Sequence, residues 1–170
     1  IAFDTETTSV DAQQAQVVGV SFAVKAGEAA YVPLTHSYMG VPTQLDRDTV
    51  LKALKPLLED PHKAKVGQHA KYDINVLANC ALDGDPGNGI NVQGVAFDSM
   101  LESYVLDSTA TRHNMDALAL KYLDYSTIAF EDIAGKGAKQ LTFDQIALEL
   151  AGPYAAEDAD ITLRLHQALW

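Results

Sequence analysis

The stretch "IAFDTETTS", Ile1 to Ser9, reads as a buried strand that runs straight into two acids. Acids are poor strand formers and are seldom buried without a partner. In a strand, residues i and i+2 point to the same face, about 6–7 Å apart, so Asp4 and Glu6 project together. Two readings follow: solvent-facing acids at a strand end, or carboxylates gathered for a cation.

Working outward, "AQVVGVSFAVKAG" (15–27) alternates as a second strand and "EAAYVPL" (28–34) as a third, with Gly27-Glu28 as a hairpin turn between them. "LDRDTVLKALKPLLED" (45–60) has helical spacing, with Val50, Leu51, Leu54, Leu57 and Leu58 on one side and Pro61 closing it. "KAKVGQ" (63–68) and "GVAFD" (94–98) are short strand candidates, each followed by a helical pattern, and Ser99 and Glu102 have capping-box spacing. From Asn114 onward the pattern is helical. Thr142 and Gln145 offer a second capping box, and the last helix is expected from about Tyr154 to Trp170. A meander of strands, then strand and helix alternating, then helices, predicts an α/β fold: a mixed sheet flanked by helices, in one domain over 1–170.

The totals narrow the class. The chain has 170 residues, 48% of them hydrophobic, so a real core is expected. No apolar run approaches the roughly 18 residues of a membrane span, and no signal peptide is visible. The lone Cys80 gives no disulfide framework, which suits a reducing compartment, and the expected location is the cytoplasm. The absence of an initiator Met points to a piece cut from a longer chain. A net charge of −11 argues against a general nucleic-acid-binding surface, although metal ions can neutralise a local acidic cluster.

Further acids share this pattern. "PYAAEDAD" places Tyr154 and Asp158 at i and i+4, on one helix face and about 6 Å apart along the axis. "KYDINVL" embeds Asp73 among Tyr72, Ile74, Val76 and Leu77. Singly, Asp73 reads as a surface acid beside Lys71, Tyr154 as a core or rim tyrosine, and Asp158 with Glu157 and Asp160 as a solvated face. As a set they differ, because carboxylates ~5 Å apart repel by roughly 3 kcal/mol per pair at an effective dielectric of 20. Cations relieve that repulsion, and hard oxygen ligands select Mg²⁺ or Mn²⁺. Two decoys drop out. "DGDPGNG" (83–89) has Gly94 where a calcium loop requires its twelfth-position Glu, and "AGKGAK" (134–139) lacks the strand and the Ser or Thr of a P-loop.

"FDTET", "KYDINVL" and "YAAED" resemble the three motifs of the DEDD exonuclease superfamily. Tyrosine stands four before the last Asp, and Pro153, not His, stands five before it, as in the tyrosine subtype. "VGQHAKYD", "AFDSMLESYVLDS", "FEDIAGKGAKQLTFDQIALE" and "YAAEDADITLRLH" extend the resemblance, over essentially the whole chain, to the 3′–5′ exonuclease (proofreading) domain of bacterial DNA polymerase I. The resemblance implies a ribonuclease-H-like fold with a five-stranded mixed sheet. It implies metal-dependent 3′–5′ removal of 5′-mononucleotides from single-stranded or frayed DNA 3′ ends, serving a polymerase domain in the same parent chain.

Carried over by motif, Asp4, Glu6, Asp73 and Asp158 match the acids that hold two divalent ions, Mg²⁺ or Mn²⁺, with Zn²⁺ as an alternative at the first site. Asp4 would bridge both ions, Glu6 and Asp158 would hold the first, and Asp73 would act on the second. Tyr154 matches the tyrosine that contacts the attacking water. Val10 and Phe130 match apolar residues that pack on the last bases, Val10 standing where relatives often have Leu. Gln68, His69, Lys71 and Arg112 match positions along the strand path, His69 replacing an Asn. Two other readings are a structural module without catalysis and a ribonuclease D-type RNA exonuclease. The first is disfavoured because all five motif residues are present, and the second by the full-length similarity.

Overall fold

The computed structural model describes residues 1–109 and 112–170. Five strands form one sheet in the order β3-β2-β1-β4-β5: β1 (Ala2–Thr7), β2 (Val17–Lys25), β3 (Glu28–Pro33), β4 (Lys65–Gly67) and β5 (Val95–Asp98). β1, β2 and β3 are an antiparallel meander, while β4 and β5 run parallel to β1 and to each other. The mixed sheet is the expected one. The hairpin turn falls on Ala26-Gly27, one residue earlier than expected, because Gly27 takes the left-handed φ of 79° and Glu28 already pairs with Lys25.

The alternation of β1 divides the molecule. Phe3 faces α1 (Arg47–Leu58) and α2 (Lys71–Ala78), packing with Leu51, Leu58, Val76 and Leu77. Ala2 faces α6 (Leu148–Leu169), packing with Ala23, Val66, Ala159 and Leu163. α6 crosses the sheet from β3 to β4 and also meets α3 (Ser99–Leu106), α4 (Met115–Leu123) and α5 (Phe130–Ala134). Ala151, Ala155 and Ala159 recur every fourth residue and are all buried, so small side chains bring the helix backbone close to the strands.

Two expectations are corrected. α6 begins at Leu148, six residues before Tyr154, with Pro153 inside it. An interior proline costs about 3 kcal/mol, but burial of Ala151 and Ala155 on either side holds the first turns against the sheet. Ser99 is not the cap of α3. Asp98 is, accepting from the Met100 and Leu101 N–H groups, and Ser99 Oγ turns inward to the Gly67 carbonyl and Gln68. The Thr142–Gln145 capping box does form, but on a single 3₁₀ turn, Phe143–Gln145. No helix among the described residues is long and apolar enough to cross a membrane.

Candidate active site

β1 and α6 build the site together. Asp4 and Glu6 leave β1 on the face that carries Ala2, and the alanine stripe brings α6 down on that face, so Asp158 meets them. One oxygen from each of Asp4, Glu6 and Asp158 lies within 4.8 Å of the others. A bulge in the β1–β2 ladder follows at once: Glu6 pairs with Gly19, but Thr7 pairs with Val17. Bulges of this kind re-aim side chains beside functional sites.

Asp73 arrives from the opposite side. It is buried on α2, and its Oδ1 accepts from the Thr5 N–H at 3.0 Å and from the Thr5 hydroxyl. Asp73 therefore lies beside the three-carboxylate cluster, with one oxygen committed to β1. The surface-acid reading of Asp73 does not hold. Tyr72, the preceding residue, ties α2 to the end of β1 by hydrogen bonds with the Thr7 hydroxyl and the Ser9 carbonyl. On α6, Glu157 accepts from the Tyr125 hydroxyl and the Ile128 N–H, both at 2.7 Å, and braces the turn that carries Asp158.

The electrostatics are those of crowded, like-charged oxygens. Burial pushes the Asp4 carboxyl far above its usual range, and the charges of Asp73, Glu6 and Asp158 push it further. Burial, then Asp158 and Asp73, does the same to Glu6. Asp158 is pushed up to about 8 by burial, with Glu157 and Asp116 adding, and Asp73 to about 7 by burial, opposed by the Thr5 hydrogen bonds. The Tyr154 phenol rises well above 10 through burial and the charge of Asp158, so it is neutral at pH 7. Glu6 Oε1 is buried with no hydrogen-bond partner among the described residues. An orphaned carboxylate oxygen inside an all-oxygen cluster fits a hard divalent cation.

A groove of about 550 Å³ opens beside Glu6 and gathers Val10, His69, Tyr72 and Phe130 with Thr5, Thr7 and Phe143. Val10 is 97% exposed, and the half-buried Phe130 lies edge-on to Tyr154 with centroids 5.9 Å apart. His69 carries a left-handed φ of 59°, held by Asp98, which accepts from the His69 and Ala70 N–H groups. Three residues expected along the strand path lie outside this groove. Gln68 donates to the His113 carbonyl and accepts from Ser99, so its amide is engaged inside the protein. Lys71 is exposed but lines a separate groove between α2 and β5. Arg112 is exposed and lines neither groove.

Thr5 and Tyr72 were not singled out by the sequence. Thr5 could have been, because the residue between Asp4 and Glu6 must face the other side of the sheet, where Asp73 sits. Nothing in the sequence marks the reach of Tyr72 to Ser9.

A family model described as "3′–5′ exonuclease" matches residues 1–170. The chain is 82% identical over 170 residues to DNA polymerase I of Pseudomonas aeruginosa, covering all of this chain and 18% of that protein. It is 41% identical to DNA polymerase I of Rhizobium leguminosarum, covering 97% of this chain and 17% of that one. The chain thus spans less than a fifth of the length of the curated relatives it matches. Among solved structures, Brucella melitensis NrnC matches with a TM-score of 0.66 and 20% identity, over 99% of this chain and 70% of that one. The Pol1 POL domain from M. smegmatis, in complex with DNA primer-template and dNTP, matches at 0.64 and 20%, over 98% and 23%. These two share the ribonuclease-H-like fold. The full-length family match and the polymerase relatives together establish that the chain belongs to the 3′–5′ exonuclease family found in bacterial DNA polymerase I.

Proposed function

We propose that this chain removes 5′-mononucleotides from single-stranded or frayed DNA 3′ ends, as the proofreading domain of a polymerase in the same parent chain, in the bacterial cytoplasm. The observation that carries this reading is the approach of carboxylate oxygens of Asp4, Glu6 and Asp158 to within 4.8 Å of one another, with Glu6 Oε1 unpartnered among the described residues, beside a groove edged by Val10 and Phe130. Asp4, Glu6 and Asp158, with Asp73 adjacent, would hold two divalent ions, Mg²⁺ or Mn²⁺, Zn²⁺ being an alternative at the first site. Such ions, when bound, lower the pKa of water and stabilise charge on the departing 3′ oxygen.

The protein's own groups do the rest. Tyr154 is a poor base because its phenol keeps its proton at pH 7. It serves instead to orient the attacking water by a hydrogen bond. Val10 and Phe130 offer apolar surface to terminal bases, and His69 stands in the same groove. Lys71 and Arg112 are exposed cations available to more distant phosphates, and Gln68 acts through the loop that it holds. The overall charge of −11 fits a domain that handles a few nucleotides and leaves duplex affinity to the rest of the parent chain.

Matched 3′-labelled DNA and RNA oligonucleotides, paired and mismatched at the end, test the reading. Expected are 5′-monophosphate products, faster cutting of DNA than RNA, and faster cutting of mismatched ends, since unpairing costs a few kcal/mol. Cleavage that survives exhaustive chelation, or digestion from a 5′ end, overturns it. Preference for RNA would favour the ribonuclease D-type reading, and an inert protein the structural module.

A further inference from the structure

A second layer of residues stands behind Glu6 and Tyr154. Tyr31 on β3 lies diagonally across the sheet from Glu6, and Gly19 is the strand residue between them: Glu6 pairs with Gly19, and Tyr31 with Ser21. The Tyr31 ring occupies the space above Gly19. A Cβ added at Gly19 would stand 2.2 Å from Tyr31 Oη and 2.4 Å from the ring carbons. No side chain fits at position 19 with Tyr31 where it is, so the glycine is what lets the ring reach Glu6. Burial, then the Glu6 charge, raises the Tyr31 phenol above its ordinary range and keeps it neutral.

The Tyr31 hydroxyl does not turn to Glu6. It bonds His36 Nε2 at 2.7 Å, and His36 Nδ1 lies 3.1 Å from the Ile146 carbonyl. A carbonyl only accepts, so Nδ1 carries the proton. Burial pushes the imidazole below its ordinary value, so the ring is neutral, Nε2 accepts, and the Tyr31 hydroxyl donates. The His36 backbone is clamped too: its N–H donates to Gln44 Oε1 and its carbonyl accepts from Gln44 Nε2. From Tyr31 the packing runs on to the site. Tyr31 meets Phe143 edge-on at 6.2 Å, and Phe143 meets Tyr154 at 6.0 Å. Phe130 closes the other side of Tyr154.

We propose that Tyr31, latched by His36, is a positioning residue that acts through Phe143 to set the angle of the Tyr154 phenol, while leaving the Glu6 oxygen free. The latch explains two facts at once: a phenol beside a carboxylate that does not bond it, and a tyrosine ring clamped between two aromatic neighbours. The inference rests on the reading of Tyr154 as the residue that orients water.

The test compares Tyr31→Phe, Tyr154→Phe and the double variant in single-turnover hydrolysis of a 3′-labelled single-stranded DNA, with Mn²⁺ titration by electron paramagnetic resonance. Small misalignments of a catalytic group cost up to about 10²-fold, so Tyr31→Phe is expected to lower the rate about fivefold to tenfold, with KM unchanged. In the Tyr154→Phe background the same change should cost less than about twofold, because residues acting as a unit are not additive. Mn²⁺ affinity should stay within about twofold, because Glu6 is untouched. The full factor in both backgrounds, no effect in either, or a large loss of Mn²⁺ affinity would overturn the inference. If Tyr31→Phe fails to fold, as judged by its melting curve, His36→Gln decides. Its amide oxygen still accepts from the Tyr31 hydroxyl, so near-normal rates are expected, whereas His36→Leu should reproduce the Tyr31→Phe loss. Equal rates for the two His36 variants would count against the latch. A silent Tyr154→Phe would overturn the underlying reading, and this inference with it.

Discussion

The two faces of β1 hold acids in opposite conditions. On the α2 face, Asp73 is fully buried, yet its Oδ1 is satisfied by the amide and the hydroxyl of Thr5. On the α6 face, Glu6 keeps an oxygen buried and without a partner among the described residues, in a cluster with Asp4 and Asp158. The first is what a protein does with an acid whose geometry it fixes by itself. The second is an arrangement left incomplete by the protein's own atoms. Burial alone therefore marks a cation site less sharply than an unsatisfied carboxylate oxygen among like charges does.

Removing Asp4 should have the largest effect. Asp4 shares the α6 face with Glu6, and its carboxyl is pushed up by burial first and then by Asp73, Glu6 and Asp158. Asp4→Ala is expected to lower single-turnover cleavage by more than about 10⁴-fold, beyond what one proton-handling side chain contributes, and to weaken Mn²⁺ binding in titrations. An Asp4→Ala protein that cleaves near normally would erase the distinction between the faces. Tyr154→Phe should cost about 10²-fold or less with metal affinity intact, since only an orienting hydrogen bond is lost.

Smaller effects separate the two acids by stability in chelator. Thr5→Val removes a hydroxyl from a buried carboxylate and should lower stability by about 1–2 kcal/mol in urea unfolding. Glu6→Gln removes a carboxyl whose ionised form burial and its neighbours disfavour and should raise stability, by about 1 kcal/mol. Both variants moving the same way would refute the contrast.

The pH dependence gives the smallest shift, with a definite sign. Raised carboxyl values mean that the folded state binds more protons than the unfolded one. Metal-free stability therefore falls as pH rises from the ordinary carboxylate range through about 8, the value for Asp158. His36, lowered by burial, opposes this trend only below about pH 6.5, its ordinary range. Melting curves between pH 6.5 and 8.5 should thus show lower midpoints at higher pH, a slope that Asp158→Asn flattens and Mg²⁺ abolishes.

Most of this was legible in the chain. The alternation of "IAFDTETTS" puts Asp4 and Glu6 on one face, and the four-residue spacing puts Tyr154 and Asp158 on one helix turn; both are local periodicities that packing preserves. The start of α6 was not legible, because Pro153 reads as a boundary and only burial of Ala151 and Ala155 overrides it. Nor was the engagement of Gln68, whose partners, Ser99 and the His113 carbonyl, lie 31 and 45 residues away. A motif locates a residue, but its free hydrogen-bonding capacity depends on neighbours that come from distant sequence.

The alanine stripe of α6 has a consequence in time. Ala151, Ala155 and Ala159 close the core on the same turns that carry Tyr154 and Asp158. The reactive groups share their turns with the packing that holds the sheet, so these turns cannot open without exposing it. Amide protons of residues 155–159 should therefore exchange with deuterium only at the rate of whole-molecule opening. Heat inactivation should coincide with melting instead of preceding it.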